Sequence, residues 1–127
     1  WVVSAPDLVK LMLTIDGFAS VSDQLSQHSI DVMTDEMSRF DPLGWRKVIS
    51  DTWFRTGTLS ATSAILCRRP DGICFAAILN SSNALGPNLA VALANKMNEL
   101  INKITLWPDC DLWADDLRWQ AYKQQKN

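Results

Sequence analysis

The chain is 127 residues long with a mass of 14.2 kDa, room for one ordinary domain and not two. Apolar residues make up 47% and charged residues 20%, which excludes a mainly disordered chain. The net charge of -2 and the pI of about 5.2 argue against a protein held to nucleic acid by phosphate contacts, the pair Arg68-Arg69 being the one basic hint. The apolar runs are short, as in Ile73 to Leu79, so no bilayer span is expected. The chain starts at Trp1 without a Met and is expected to be part of something longer or processed. No basic stretch leads into an apolar run at the start, so no signal peptide is read and the compartment stays unassigned.

The spacing predicts a first helix over Ser4 to Ile15. Ser4 is a good N-cap, Pro6 falls in the first turn and Asp7 complements the helix dipole. Leu8, Leu11, Met12 and Ile15 make one apolar stripe, and Gly17 ends the helix. A second helix is predicted over Ser29 to Met37, with Ile30, Met33 and Met37 on one side. Strand signals follow at Leu43 to Ile49, Thr52 to Thr56, Thr62 to Arg68 and Ile73 to Leu79, forming an antiparallel meander. Arg69-Pro70-Asp71-Gly72 is the clearest turn. Pro-Asp-Gly favours a type I turn with a bulge, pairing Arg69 with Ile73 and therefore Cys67 with Phe75. That register sends Cys67 and Cys74 to opposite faces, so no disulfide joins them. Both hairpin strands are nearly continuous apolar runs, which calls for cover on both faces of the sheet.

Gly86-Pro87 opens a third helix with Leu89, Leu93, Met97, Leu100, Ile101 and Ile104 on one face, expected to pack on the sheet. After Pro108, Asp109 to Gln125 has the charge polarity of a last helix and carries Trp113 and Trp119. The fold class read from this order is α+β, an antiparallel sheet of three to four strands flanked by helices. Residues 1–105 form the main unit and residues 106–127 a Trp-rich extension.

Three cysteines, Cys67, Cys74 and Cys110, are too few for a disulfide framework and read as reduced, partly buried thiols. The single His28, with no second His and no C-x-x-C, gives no metal site, and no cofactor is implied. It reads as a surface residue near a helix start. Asp7, Asp16 and Asp71 read as caps and turns, and Asp115-Asp116 as a solvated helix face.

Four patterns stand in a fixed order: Trp1-Val2-Val3-Ser4-Ala5-Pro6-Asp7-Leu8-Val9-Lys10; Leu25-Ser26 followed by Ile30-Asp31-Val32-Met33-Thr34; Leu43-Gly44-Trp45-Arg46; and Trp53-Phe54-Arg55-Thr56-Gly57-Thr58-Leu59. The last is followed by Ile65-Leu66, Arg69-Pro70-Asp71-Gly72 and Ala77-Ile78-Leu79-Asn80-Ser81. As an ordered set, over residues 1–105, this resembles the C-terminal part of the serine β-lactamase and penicillin-binding-protein-like hydrolases, in the class C and esterase branch. That family has S-x-x-D-L at a helix start, then G-L-G-W, then H-T-G or K-T-G, then strand, P-D-G turn, strand and helix. The resemblance implies a sheet with terminal helices on one face and a helical domain against the other.

It also implies roles. Arg55-Thr56-Gly57 stands where Lys-Thr-Gly or His-Thr-Gly is expected. Arg55 would supply positive charge, Thr56 a hydroxyl for a substrate carboxylate or acyl group, and Gly57 close backbone approach. The Thr58 N–H would be one oxyanion donor. A guanidinium does not deprotonate, so Arg55 clamps a carboxylate and shuttles no proton. The alternative for this stretch is a strand end with a solvated Arg and a bend at Gly57. The family nucleophile is the Ser of S-x-x-K, and no Ser here has Lys three residues later. Ser81-Ser82-Asn83 fits the S-x-N motif in form but follows the third motif, and Tyr122 begins no Y-x-N.

The expected function is therefore the C-terminal segment of a serine hydrolase acting on amides or esters, inactive alone, whose partners are the missing N-terminal part or a second copy. A small acyl substrate belongs to the complete parent. The alternative is a non-catalytic binding or assembly module that docks through its sheet face and a tail bearing Trp107, Trp113 and Trp119. Packing of those tryptophans back onto the sheet is the favoured reading of the tail.

Overall fold

The computed structural model describes residues 2–35, 42–81 and 88–107. Helix α1 spans Ala5–Leu13. Its N-terminus is closed by a reciprocal cap: the Asp7 N–H donates to Ser4 Oγ at 3.3 Å and the Ser4 N–H to Asp7 Oδ2 at 3.2 Å. Helix α2 spans Gln27–Thr34 and starts two residues before the predicted Ser29, because Ser26 Oγ takes the Ser29 N–H at 3.2 Å. Met37, placed by its sequence on this helix, lies outside the described residues.

Four strands follow as a meander in the order β1-β2-β3-β4: β1 Lys47–Ile49, β2 Thr52–Leu59, β3 Thr62–Arg68 and β4 Cys74–Leu79, all antiparallel. Ser50 and Asp51 both have positive φ, 47° and 59°, as the two-residue turn between β1 and β2 requires. The β3–β4 turn follows its sequence. The Arg69 N–H donates to Ile73 O at 2.9 Å, Gly72 has φ 86°, and Cys67 pairs with Phe75. Cys67 and Cys74 are accordingly free thiols on opposite faces.

Both faces are covered, as the unbroken apolar strands demand. On one, Met12 of α1 and Ile30 of α2 bury against Trp45, Val48 and Trp53, with Leu66 and Cys74 at the margin. On the other, Ile65, Cys67 and Phe75 close against helix α3, Asn88–Ile101, through Ile101, Leu93, Ala94 and Met97. Period-two alternation along β2 and β3 sorts these residues: Trp53 and Leu66 to the first face, Ile65 and Cys67 to the second. Ile65 is 1% exposed, and burying such a side chain is worth about 2–3 kcal/mol. Among the described residues no helix is long and apolar enough to cross a membrane.

Several expectations shift. Helix α1 stops at Leu13, before Ile15, because Thr14 turns back on Leu11 O through its N–H (3.1 Å) and its hydroxyl (2.8 Å). With so short a helix the buried arc narrows, and Leu11 of the predicted stripe is 55% exposed. Strand β1 begins at Lys47 and not at Leu43, since Gly44 sits at φ 81°. Strand β2 runs on through Gly57 to Leu59, held by seven register pairs with β3. On α3 and just beyond it, Leu100 and Ile104 are exposed where the stripe predicted burial. The predicted helix Asp109 to Gln125, with Trp113 and Trp119, lies outside the described residues.

Candidate functional site

Arg55, Thr56, Gly57 and Thr58 all lie on β2, in the stretch that β1 does not cover. One side of this stretch is bonded to β3, with Arg55 opposite Leu66, Thr56 opposite Ile65, Gly57 opposite Ala64 and Thr58 opposite Ser63. The other side has no strand partner among the described residues. Which backbone groups point there follows from parity. The Phe54 carbonyl faces β1, since it accepts the Arg46 N–H at 2.9 Å. Along an antiparallel strand the peptide groups alternate between its two edges. The N–H and C=O of Thr56 and Thr58 therefore face the same edge as those of Phe54, and there β1 has already ended. Gly57 faces β3. The open edge thus presents the Thr58 N–H, the group the resemblance assigns as an oxyanion donor.

The side chains divide differently. Arg55 and Gly57 belong to the face packed by α1 and α2, Thr56 and Thr58 to the face packed by α3. Thr56 is half-buried beside Phe54, Ile65 and Cys67 in a narrow gap of about 160 Å³ under Val91, Ala94 and Asn98 of α3. Arg55 is exposed and lines a separate hollow of about 480 Å³ with Pro42, Trp45, Arg46, Lys47 and Phe54. Arg55 and Thr56 are thus sequence neighbours whose side chains serve two different cavities. Gly57 has room for a methyl group, its nearest neighbour being Ala64 Cβ at 3.8 Å from an added Cβ. Its value at this place is low bulk beside the edge, with no forbidden φ involved.

Behind the edge the electrostatics are structural. Arg68, 4% exposed, is sandwiched between Phe18 (3.9 Å) and Trp53 (4.2 Å). It donates to Asp16 O at 3.0 Å and Asp51 O at 2.8 Å, and pairs with Asp51 Oδ2 at 2.8 Å. Arg69 is engaged by Asp71, Asn98 and Asn102. Both arginines are thus engaged by groups within the fold. Asp16, read from sequence as a cap or turn residue, does accept the Phe18 N–H at 2.8 Å but is fully buried. Burial pushes its carboxyl above the ordinary range. Burial also pushes the Cys67 thiol up to about 11 and the Cys74 thiol to about 12, so neither is a nucleophile near neutral pH.

His28 is exposed on the first turn of α2, as its sequence position implies. Among the described residues no group of three or more His, Cys, Asp or Glu is arranged to hold a metal. Of Ser81-Ser82-Asn83 only Ser81 is described, and Tyr122 lies outside the described residues. Two features escaped the sequence reading. Arg46 and Lys47 share the Arg55 hollow, although only Arg46 stood in a quoted pattern. Ser63, opposite Thr58, is fully buried with an unpaired hydroxyl.

Comparison with family models, curated proteins and solved structures finds no match for this chain.

Proposed function

We propose that this chain carries the substrate-binding edge of a serine hydrolase similar to the β-lactamase and penicillin-binding-protein-like enzymes, acting on amides or esters. The observation that supports the reading best is the open edge of β2 at Arg55-Thr56-Gly57-Thr58. An acyl group laid along it meets the Thr58 N–H, directed outward, on the strand that also carries Arg55. The N–H is a preorganised donor for the oxygen on which charge develops during acyl transfer. The guanidinium fixes a substrate carboxylate.

The chain holds no S-x-x-K, so by itself it performs no acyl transfer; the nucleophile and the second oxyanion donor belong to the remainder of the hydrolase. Incubation with a fluorophosphonate or a chromogenic β-lactam should leave every Ser of the 127 residues unmodified. The protein sequence upstream of Trp1 should contain S-x-x-K followed by Y-x-N or S-x-N. Stoichiometric acylation within this chain, or an upstream sequence with neither motif, overturns the reading.

A second reading is a non-catalytic binding or assembly module that docks through its sheet face and Trp-rich tail. It draws on Leu106 and Trp107, 86% and 50% exposed just past α3. Mass in solution separates it from the first: a stable monomer across the micromolar range rejects self-assembly.

A further inference from the structure

The hollow at the start of β1 gathers cations beside aromatic rings. It is lined by Pro42, Trp45, Arg46, Lys47, Phe54 and Arg55. Its charged members are all cations, in a chain whose net charge is -2. Arg68 and Arg69, by contrast, are neutralised by Asp51 and Asp71. Arg46, Lys47 and Arg55 have no ion pair among the described residues.

The backbone explains how two consecutive cations come to line one hollow. In a regular strand, neighbours point to opposite faces. Here Lys47 is the register partner of Phe54, while the Arg46 N–H also bonds to Phe54 O at 2.9 Å. Arg46 lies just before the strand, in a bend, so strict strand alternation does not govern its side chain. Like charges gathered this way repel one another, and a bound anion relieves that repulsion. Trp45, which lines the same hollow, is 6% exposed and its indole Nε1–H has no acceptor among the described residues. An unpaired buried donor of this kind is rare in folded proteins.

We propose that Arg46, Lys47 and Arg55 bind a small ligand bearing two or more oxyanionic charges, carboxylate or phosphate in class. The two guanidiniums offer planar forks for bidentate contact and the Lys47 ammonium a point charge. The size of the hollow suits a small molecule and no polymer. The site shares Arg55 with the proposed substrate edge, and if both hold, the substrate is an anionic amide or ester. The inference itself rests on charge and shape and needs no catalysis.

The test is titration of the chain with tricarballylate and, separately, pyrophosphate at fixed ionic strength, followed by NMR. Saturable shifts are expected at residues 46, 47 and 55 and at the Trp45 indole, weakening as salt is raised. Removing one charge-assisted contact in Arg46→Gln or Lys47→Gln should weaken binding about tenfold. Both side chains are exposed, so the variants should keep the urea midpoint of the parent, which is checked alongside. A response to tricarballylate alone supports a carboxylate ligand and to pyrophosphate alone a phosphoryl ligand; either keeps the site. No saturable shift with either probe, or an unchanged affinity in the Arg46→Gln, Lys47→Gln double variant, overturns it. Because no acylation is measured, failure here leaves the hydrolase reading to its own experiment.

Discussion

Arg68 is the residue on which the first core layer turns, and replacing it by Met tests that directly. Met keeps much of the side-chain volume and removes the charge and the donors. Two bonds from a charged donor are lost, to Asp16 O at 3.0 Å and Asp51 O at 2.8 Å. At about 1.5 kcal/mol each they amount to roughly 3 kcal/mol. Loss of the two ring contacts, with Phe18 and Trp53, adds about 1–2 kcal/mol. The guanidinium no longer has to be desolvated, which offsets part of this, leaving a net loss of about 3 kcal/mol. The ion pair contributes little, because the Asp51 side chain is 60% exposed and a solvated pair is worth about 1 kcal/mol or less. Urea unfolding should therefore show Arg68→Met with a midpoint lowered by about 1.5–2 M and Asp51→Asn by about 0.5 M or less, taking a slope of about 1.5–2 kcal/mol per M. Asn also tolerates the φ of 59° at position 51. Equal losses in the two variants would show that the ion pair and not the carbonyl clamp holds Arg68. A shift under about 0.5 M for Arg68→Met would refute the clamp altogether.

Three further outcomes follow from particular residues. Ala61 sits at φ 59° in the turn between β2 and β3, so Ala61→Gly should raise stability by about 0.5–1 kcal/mol in the same urea assay, with Ala61→Val lowering it. Asp16, whose pKa is raised by burial, holds its proton in the folded state at pH values where the unfolded chain has lost it. Its contribution to stability therefore falls as pH rises through the ordinary Asp range. Asp16→Asn should gain on the parent between pH 4 and pH 7, and a gain that is flat across that range would contradict the assignment. Cys67 and Cys74, pushed to about 11 and 12, should resist alkylation at pH 8 until the protein unfolds, and peptide mapping of the alkylated native protein reads this out. Mass analysis should find no Cys67–Cys74 disulfide, their register partners placing them on opposite faces.

Much of the architecture was legible from short-range chemistry. Ser4 and Asp7 wrote the start of α1, and Pro70-Asp71-Gly72 set the β3–β4 register down to the Cys67–Phe75 pair. The uninterrupted apolar residues of Ala64 to Cys67 and Ile73 to Leu79 announced that both faces would be covered. Each of these depends on groups within a few residues of one another, where rotamer and turn preferences decide the outcome locally. The strand read over Thr52 to Thr56 was likewise legible, though β2 runs on through Gly57 and Thr58 to Leu59.

What the sequence by itself could not determine depends on neighbours distant along the chain. That the Thr58 N–H looks outward follows from how little of β2 is paired by β1, whose first residue, Lys47, stands opposite Phe54. That Thr56 turns toward α3 while Arg55 lines the hollow follows from which helix covers which face. Arg68 and Arg69 are identical adjacent residues in sequence. The fold buries the first between two rings and ties the second to α3, since a strand sends successive side chains to opposite sides. Local propensity chooses helix, strand and turn. Whether a charge becomes a buried clamp, a surface pair or part of a cationic hollow is decided by the desolvation and partners that only the assembled layers supply.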